Sequence, residues 1–196
     1  NFSGPNPFGS PVEIGASALG DLDGDGDIDL VVAGEKDGPM VPMYRYDNNG
    51  TGSFSAGTAF GTAVFFSTVS LADLDGDDDL DLIVTGTNIL GQGRRLDRYM
   101  NDGTGGFTGP TAFGVGVFAG GTTTGDLDAD GDLDLIVCGW AGAVYRLDRY
   151  LNDGSGNMLG PTGVGTGVYD SSASVGDIDN DGDLDLLITG YGGGVR

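Results

Sequence analysis

A fourteen-residue pattern occurs four times in this chain: DLDGDGDIDLVVAG at 21–34, DLDGDDDLDLIVTG at 73–86, DLDADGDLDLIVCG at 126–139 and DIDNDGDLDLLITG at 177–190. The starts at Asp21, Asp73, Asp126 and Asp177 lie 52, 53 and 51 residues apart. A second block keeps the same phase, with Arg45-Tyr46, Arg98-Tyr99 and Arg149-Tyr150 each leading into a turn rich in Asn, Asp and Gly. A third, Phe107-Thr108-Gly109-Pro110, has counterparts at Phe2-Ser3-Gly4-Pro5 and Met158-Leu159-Gly160-Pro161. Any fold for this chain must therefore array copies of one unit.

The signals inside a unit are all β. The run after each Asp-rich stretch, such as Leu133 to Cys138, is short, β-branched and closed by Gly, which suits a buried strand. The Arg-Leu-Asp-Arg-Tyr segments at 95–99 and 146–150 alternate in polarity and meet Asn-Asp-Gly, a hairpin signal. The Phe-Thr-Gly-Pro segment and an apolar stretch such as Ala63 to Val69 complete about four strands per period, the size of a propeller blade. The expected fold is an all-β, propeller-like array of four four-stranded blades, forming a single repeat domain over 1–196. By repeat phase Arg196 aligns with Tyr145 and Asn1 with Asn157. One blade is therefore expected to be split between the chain ends, with 1–19 completing the repeat begun by 177–196. The opening Asn1-Phe2-Ser3, without an initiator Met, reads as a mature piece or an excerpt of a longer array.

The loops at 21–29, 73–81, 126–134 and 177–185 carry the chemistry. Each sets carboxylates at alternate positions: Asp21, Asp23, Asp25, Asp27 and Asp29; Asp73, Asp75, Asp77, Asp79 and Asp81; Asp126, Asp128, Asp130, Asp132 and Asp134; Asp177, Asp179, Asp181, Asp183 and Asp185. Oxygens from positions 1, 3, 5 and 9, with the backbone carbonyl of position 7, can wrap one hard cation, and a Gly at position 6 permits the sharp turn. Such clustering without a cation costs on the order of several kcal/mol in repulsion. Of the 30 acidic residues, 21 lie in the four motifs. Calcium, about four ions, is the expected cofactor, because magnesium prefers to keep its waters. Asp78 stands where Gly26, Gly131 and Gly182 stand elsewhere, so the 73–81 loop is expected to be the strained, weaker site.

With its RY-x-NDG-x-G block and the pairs Phe8-Gly9, Phe60-Gly61 and Phe113-Gly114, this pattern resembles the FG-GAP/VCBS repeats of integrin α-chain propellers, bacterial surface proteins and fungal-type propeller lectins. The resemblance implies a β-propeller with calcium loops between strands, in an extracellular or cell-surface location.

Composition narrows the function. The formal net charge is −22, which argues against nucleic acid and anionic membrane partners. There is no histidine, no nucleophile motif and no acid pair outside the repeats, so no enzyme is expected. No apolar run approaches the roughly 18 residues of a membrane span. Cys138 reads as a small strand residue. Arg45, Arg98 and Arg149 read as cross-strand partners of Asp97 or Asp148. Trp140 and Tyr191 share a repeat position that would suit a sugar-stacking platform. Asn1-Phe2-Ser3 and Asn49-Gly50-Thr51 are glycosylation acceptor sequences on a secretory route. Two functions fit: a calcium-stabilised structural subunit of a surface or secreted, even filamentous, assembly, self-associating through the split blade; or a lectin-like or adhesion propeller with a glycan or extracellular protein ligand. The residues favour the first.

Overall fold

The computed structural model of the protein describes residues 13–35, 41–89 and 92–192. The described residues form 14 strands in four antiparallel sheets. The first holds β1 (Glu13–Gly20), β2 (Asp29–Glu35), β3 (Met43–Tyr46) and β4 (Thr58–Phe60), in that order. The second holds β5 (Phe65–Ala72), β6 (Asp81–Ile89), β7 (Gln92–Asn101) and β8 (Phe107–Ala112). The third holds β9 (Phe118–Gly125), β10 (Asp134–Trp140), β11 (Tyr145–Asn152) and β12 (Met158–Gly163). The fourth pairs β13 (Tyr169–Gly176) with β14 (Asp185–Tyr191). Among the described residues no helix is long and apolar enough to cross a membrane.

Each sheet packs against the next, and the inner strands β1, β5, β9 and β13 are successive neighbours. Three apolar clusters fill the three gaps. Val31 and Ala33 of the first sheet meet Val69, Leu82 and Val84 of the second. Ile83 meets Leu135 and Val137, and Ile136 meets Ala173 with Leu186 and Ile188 against it. A strand covered on both faces needs a continuous apolar run, which is why DLIV recurs where a one-sided sheet would alternate. The Phe-Gly pairs serve these gaps too. Phe60 and Phe113 stand edge-on to Tyr99 and Tyr150 of the following sheet, at ring separations of 6.1 and 5.7 Å. A Cβ at Gly114 would sit 2.6 Å from the Tyr150 hydroxyl, so only glycine lets that ring approach. Phe8-Gly9 lies outside the described residues.

Among the described residues the fourth sheet has two strands. One expectation is corrected: the whole of 1–19 does not complete the last repeat. Glu13–Gly20 pairs with Asp29–Glu35, giving the first sheet its inner strand. Residues 1–12, the rest of that segment, lie outside the described residues, as does the Asn1 acceptor sequence. The arginines also differ from expectation. Asp97 and Asp148 pair with Arg95 and Arg146, two residues earlier on their own strands. Arg98 instead reaches the next sheet, donating to Asn157 Oδ1 at 2.9 Å, and Arg45 donates to the Thr104 carbonyl at 3.2 Å.

Candidate metal centres

Each Asp loop joins an inner strand to the second strand of its sheet, and backbone amides shape it from within. In the first loop Asp21 accepts from the N–H groups of Gly24 (2.9 Å) and Gly26 (3.0 Å), folding the chain back on its first carboxylate. Asp73 does the same with Gly76 and Asp78, Asp126 with Asp130 and Gly131, and Asp177 with Asp181 and Gly182. Position 9 opens the second strand and is anchored twice. Asp29 accepts from Leu22 N (3.0 Å) and Asn48 N (2.8 Å), Asp81 from Leu74 and Asn101, and Asp134 from Leu127 and Asn152. Asp29, Asp81 and Asp134 are fully buried. Asp185 accepts from Ile178 N and is exposed.

The result is one carboxylate trio per loop, from positions 1, 3 and 9: Asp21, Asp23 and Asp29; Asp73, Asp75 and Asp81; Asp126, Asp128 and Asp134; Asp177, Asp179 and Asp185. Within each trio one oxygen per residue lies within 4.8 Å of the others. Two ligands on opposite sides of a calcium ion, each at about 2.4 Å, would be that far apart. Asp23 Oδ1 is buried without a hydrogen-bond partner. An oxygen-only, anionic donor set of this size fits a hard cation.

Positions 5 and 7 are not part of the trios. Asp25, Asp77, Asp130 and Asp181 each accept from the N–H of position 7 and hold the turn. The position 7 carboxylates Asp27, Asp79 and Asp132 lean on the outer hairpin. A Cβ at Gly50, Gly103 or Gly154 would fall 2.5–2.7 Å from their Oδ2 atoms. Asp183, in the fourth loop, has no such hairpin among the described residues. The electrostatics show the cost of this crowding. Burial pushes Asp81 up to about 6, although the N–H groups of Asn101 and Leu74 counteract it. Asp23, Asp75 and Asp128 are raised by lost hydration and then by the position 5 carboxylate beside each. Asp79 and Asp132 are raised for the same reasons. A cation in the trio would reverse these directions.

Residues 21–84 match the model of the FG-GAP-like repeat. Over that span the chain is similar to the FG-GAP-like repeat. The matched span starts on the first residue of the first loop and ends inside β6, so it takes in the whole of the second loop. The third and fourth loops repeat the same Asp pattern beyond it. A comparison with curated proteins gives no match.

Sequence reasoning missed the hairpin asparagines. Asn101 donates from Nδ2 to the Leu22 carbonyl of the preceding loop (2.9 Å) and to Leu80 O of its own (3.2 Å). Asn152 does likewise to Leu74 and Leu133, at 2.8 and 3.2 Å. Each therefore ties two loops together. The signal was present, since Asn48, Asn101 and Asn152 share one repeat position. Trp140 and Tyr191 do not form one platform. Trp140 packs on Phe118 under Arg94, and Tyr191 packs edge-on to Tyr169, which stacks on Tyr145. Cys138 is buried and accepts from Ser171 Oγ at 3.1 Å.

Proposed function

We propose that this chain is a non-enzymatic, calcium-stabilised, extracellular repeat domain that serves as a structural subunit. The observation that carries the reading is the carboxylate trio formed at the same place in all four loops. Four equivalent sites, each tying an inner strand to its neighbour, suit stabilisation rather than a single reaction. Positions 1, 3 and 9 of each loop would hold the ion directly, and positions 5 and 7 would shape the turn around it. Four divalent ions would bring the formal −22 to −14. Extracellular calcium, near millimolar, fills even weak sites of this class. The propeller-type array is part of the same proposal: Gly15, Ser67, Gly120 and Ser171, one from each inner strand, line a common central cavity of about 260 Å³.

Thermal melts with calcium and with chelator test this reading. A ligand at a hundredfold excess over its dissociation constant stabilises by about 2.7 kcal/mol per site, so the melting temperature should fall by many degrees in chelator. An unchanged melt together with no metal by elemental analysis overturns the proposal. One observation favours a second reading, a lectin-like module: Trp140, Tyr145 and Tyr169 line a cavity of about 200 Å³ between the third and fourth sheets. Binding on a glycan array, abolished by Tyr145→Ala, would move the assignment there.

A further inference from the structure

The same sheet-to-sheet contact is made three times inside the molecule. The forward face of each sheet offers a loop residue at position 2 and a strand residue two after position 9; these are Leu22 and Val31, then Leu74 and Ile83, all at most 1% exposed. The backward face of the following sheet offers a residue just before the loop and another at position 8. In two of the gaps these two settle over a glycine. A Cβ on Gly20 would strike Leu71 and Leu80 of the second sheet, and one on Gly125 would strike Val175 and Leu184 of the fourth.

At the two outermost faces the same residues have no cover among the described residues. On the forward face of the fourth sheet Ile178 is 65% exposed and Leu187 58%. Gly176, which corresponds to Gly20 and Gly125, has nothing within 4 Å of where its Cβ would be. On the backward face of the first sheet Leu19 is 65% exposed and Ile28 51%, at the positions of Leu71 and Leu80. Loop bonding shows the same gap. Asn48 donates to Ile28 O of its own loop, whereas Asn101 and Asn152 each also reach the preceding loop.

The two open faces are thus mates of each other. We propose that a second copy of this chain docks its first sheet onto the fourth sheet of its neighbour, seating Leu19 and Ile28 over Gly176 and bringing Asn48 to the Ile178 carbonyl. The occupant is specified by the match at every one of these positions, the vacant glycine notch included. The contact is heterologous, so each copy keeps one face of each kind and association propagates head to tail into rings or filaments. Docking of this kind leaves β1 paired with β2 of its own chain. The inference rests on the structural-subunit reading above, and it adds a calcium dependence. Docking apposes the loops at 21–29 and 177–185, which repel unless a cation neutralises them.

Light scattering coupled to gel filtration, in calcium, tests the proposal with the full chain and two variants. The parent should elute as multiples of its 19.8 kDa mass, growing with concentration. Ile28→Lys and Leu187→Lys block opposite faces at exposed positions, and each alone should reduce the mass to one chain with unchanged far-UV circular dichroism. Mixing the two variants leaves one good pair of faces, so a species of twice the chain mass should form and stop there. A parent that stays at one chain mass at every concentration, as closure of the two faces within one chain would give, overturns the proposal. So does assembly that survives both substitutions. Melting each monomeric variant with calcium and with chelator separates the two ideas: a retained calcium shift with failed assembly sinks only the docking, and assembly without any calcium shift sinks only the calcium reading.

Discussion

β10 and β14 are nearly the same strand in sequence, DLIVCGW against DLLITGY, yet they have opposite surroundings. β10 is buried from Asp134 to Gly139, while β14 alternates, with Leu186 and Ile188 half-buried and Leu187 and Thr189 exposed. The loops before them differ in the same way. Asp134 is closed in by the Asn152 hairpin, and among the described residues Asp185 accepts only from Ile178 N of its own loop. Residue choice therefore specifies a strand made to be covered on both faces, and the neighbouring sheet and hairpin decide whether that cover is present. The sites at 126–134 and 177–185 share donor atoms but not support.

The largest test of that contrast removes position 9 from each loop, in chelator so that only the protein is measured. Asp134→Ala strips the acceptor from one buried and one part-buried N–H group, and each lost bond to a charged acceptor is worth about 1.5–3 kcal/mol. A loss of about 3–5 kcal/mol in urea unfolding is expected. Asp185→Ala leaves one exposed N–H that water can satisfy, so its cost should stay under about 1 kcal/mol. Equal losses would show that the hairpin clamp contributes nothing.

The contrast also shows what could be read from the sequence. Repeat phase located all four loops and the strand after each, and the hairpin beyond the first three, because turn chemistry and apolar runs act locally. It also put positions 1, 3, 5 and 9 around one site; the structure gathers 1, 3 and 9, while position 5 accepts from the N–H of position 7. Position 4 was not legible: Gly24 and Gly76 adopt positive φ there, but so do Ala129 and Asn180, both at 62°. Amide bonds to the first carboxylate impose that turn whatever side chain stands at the position. Nor did the sequence mark the inner-strand kinks at Phe66, Ala119 and Asp170, with φ of 46, 49 and 47°, where each strand shifts register. The turn comes from bonds within the loop, whereas the kinks go with the pairing between strands. The interaction of Arg98 with the next sheet was not legible either, because no local pattern says which sheet lies within reach.

A smaller effect is expected from pH. Burial raises Asp81 to about 6 in the folded, metal-free chain, against an ordinary value of 3.8. A raised carboxyl stabilises the fold when protonated, and that contribution is lost as the pH rises through 6. In chelator, moving from pH 7 to pH 5 should therefore add about 1–1.5 kcal/mol. Asp81→Asn should remove most of this gain. In calcium the slope should reverse, since protons compete with the ion for the same oxygens. Asp102 and Asp153 are lowered by their own hairpin bonds, to Thr104 and Asn157 first, so their titration falls below this window. A metal-free protein that loses stability between pH 7 and pH 5 would contradict the burial argument.

The smallest effect distinguishes the second loop from the other three. Asp78 adopts a φ of 71°, close to the 89, 99 and 96° of Gly26, Gly131 and Gly182, and its N–H still reaches Asp73 Oδ2 at 3.0 Å. The loop geometry is thus kept in spite of a Cβ in the left-handed region, where a side chain costs about 1 kcal/mol relative to glycine and Asp somewhat less. Asp78→Gly should therefore stabilise the protein by up to about 1 kcal/mol. It also removes one of the carboxylates that raise Asp79. Part of the gain should persist in high salt, which screens the charge contribution and leaves the backbone contribution. The same substitution should tighten the 73–81 site relative to 126–134 in a calcium titration. If the gain vanishes entirely in salt, the backbone at position 6 is unstrained, and repulsion alone sets the second loop apart.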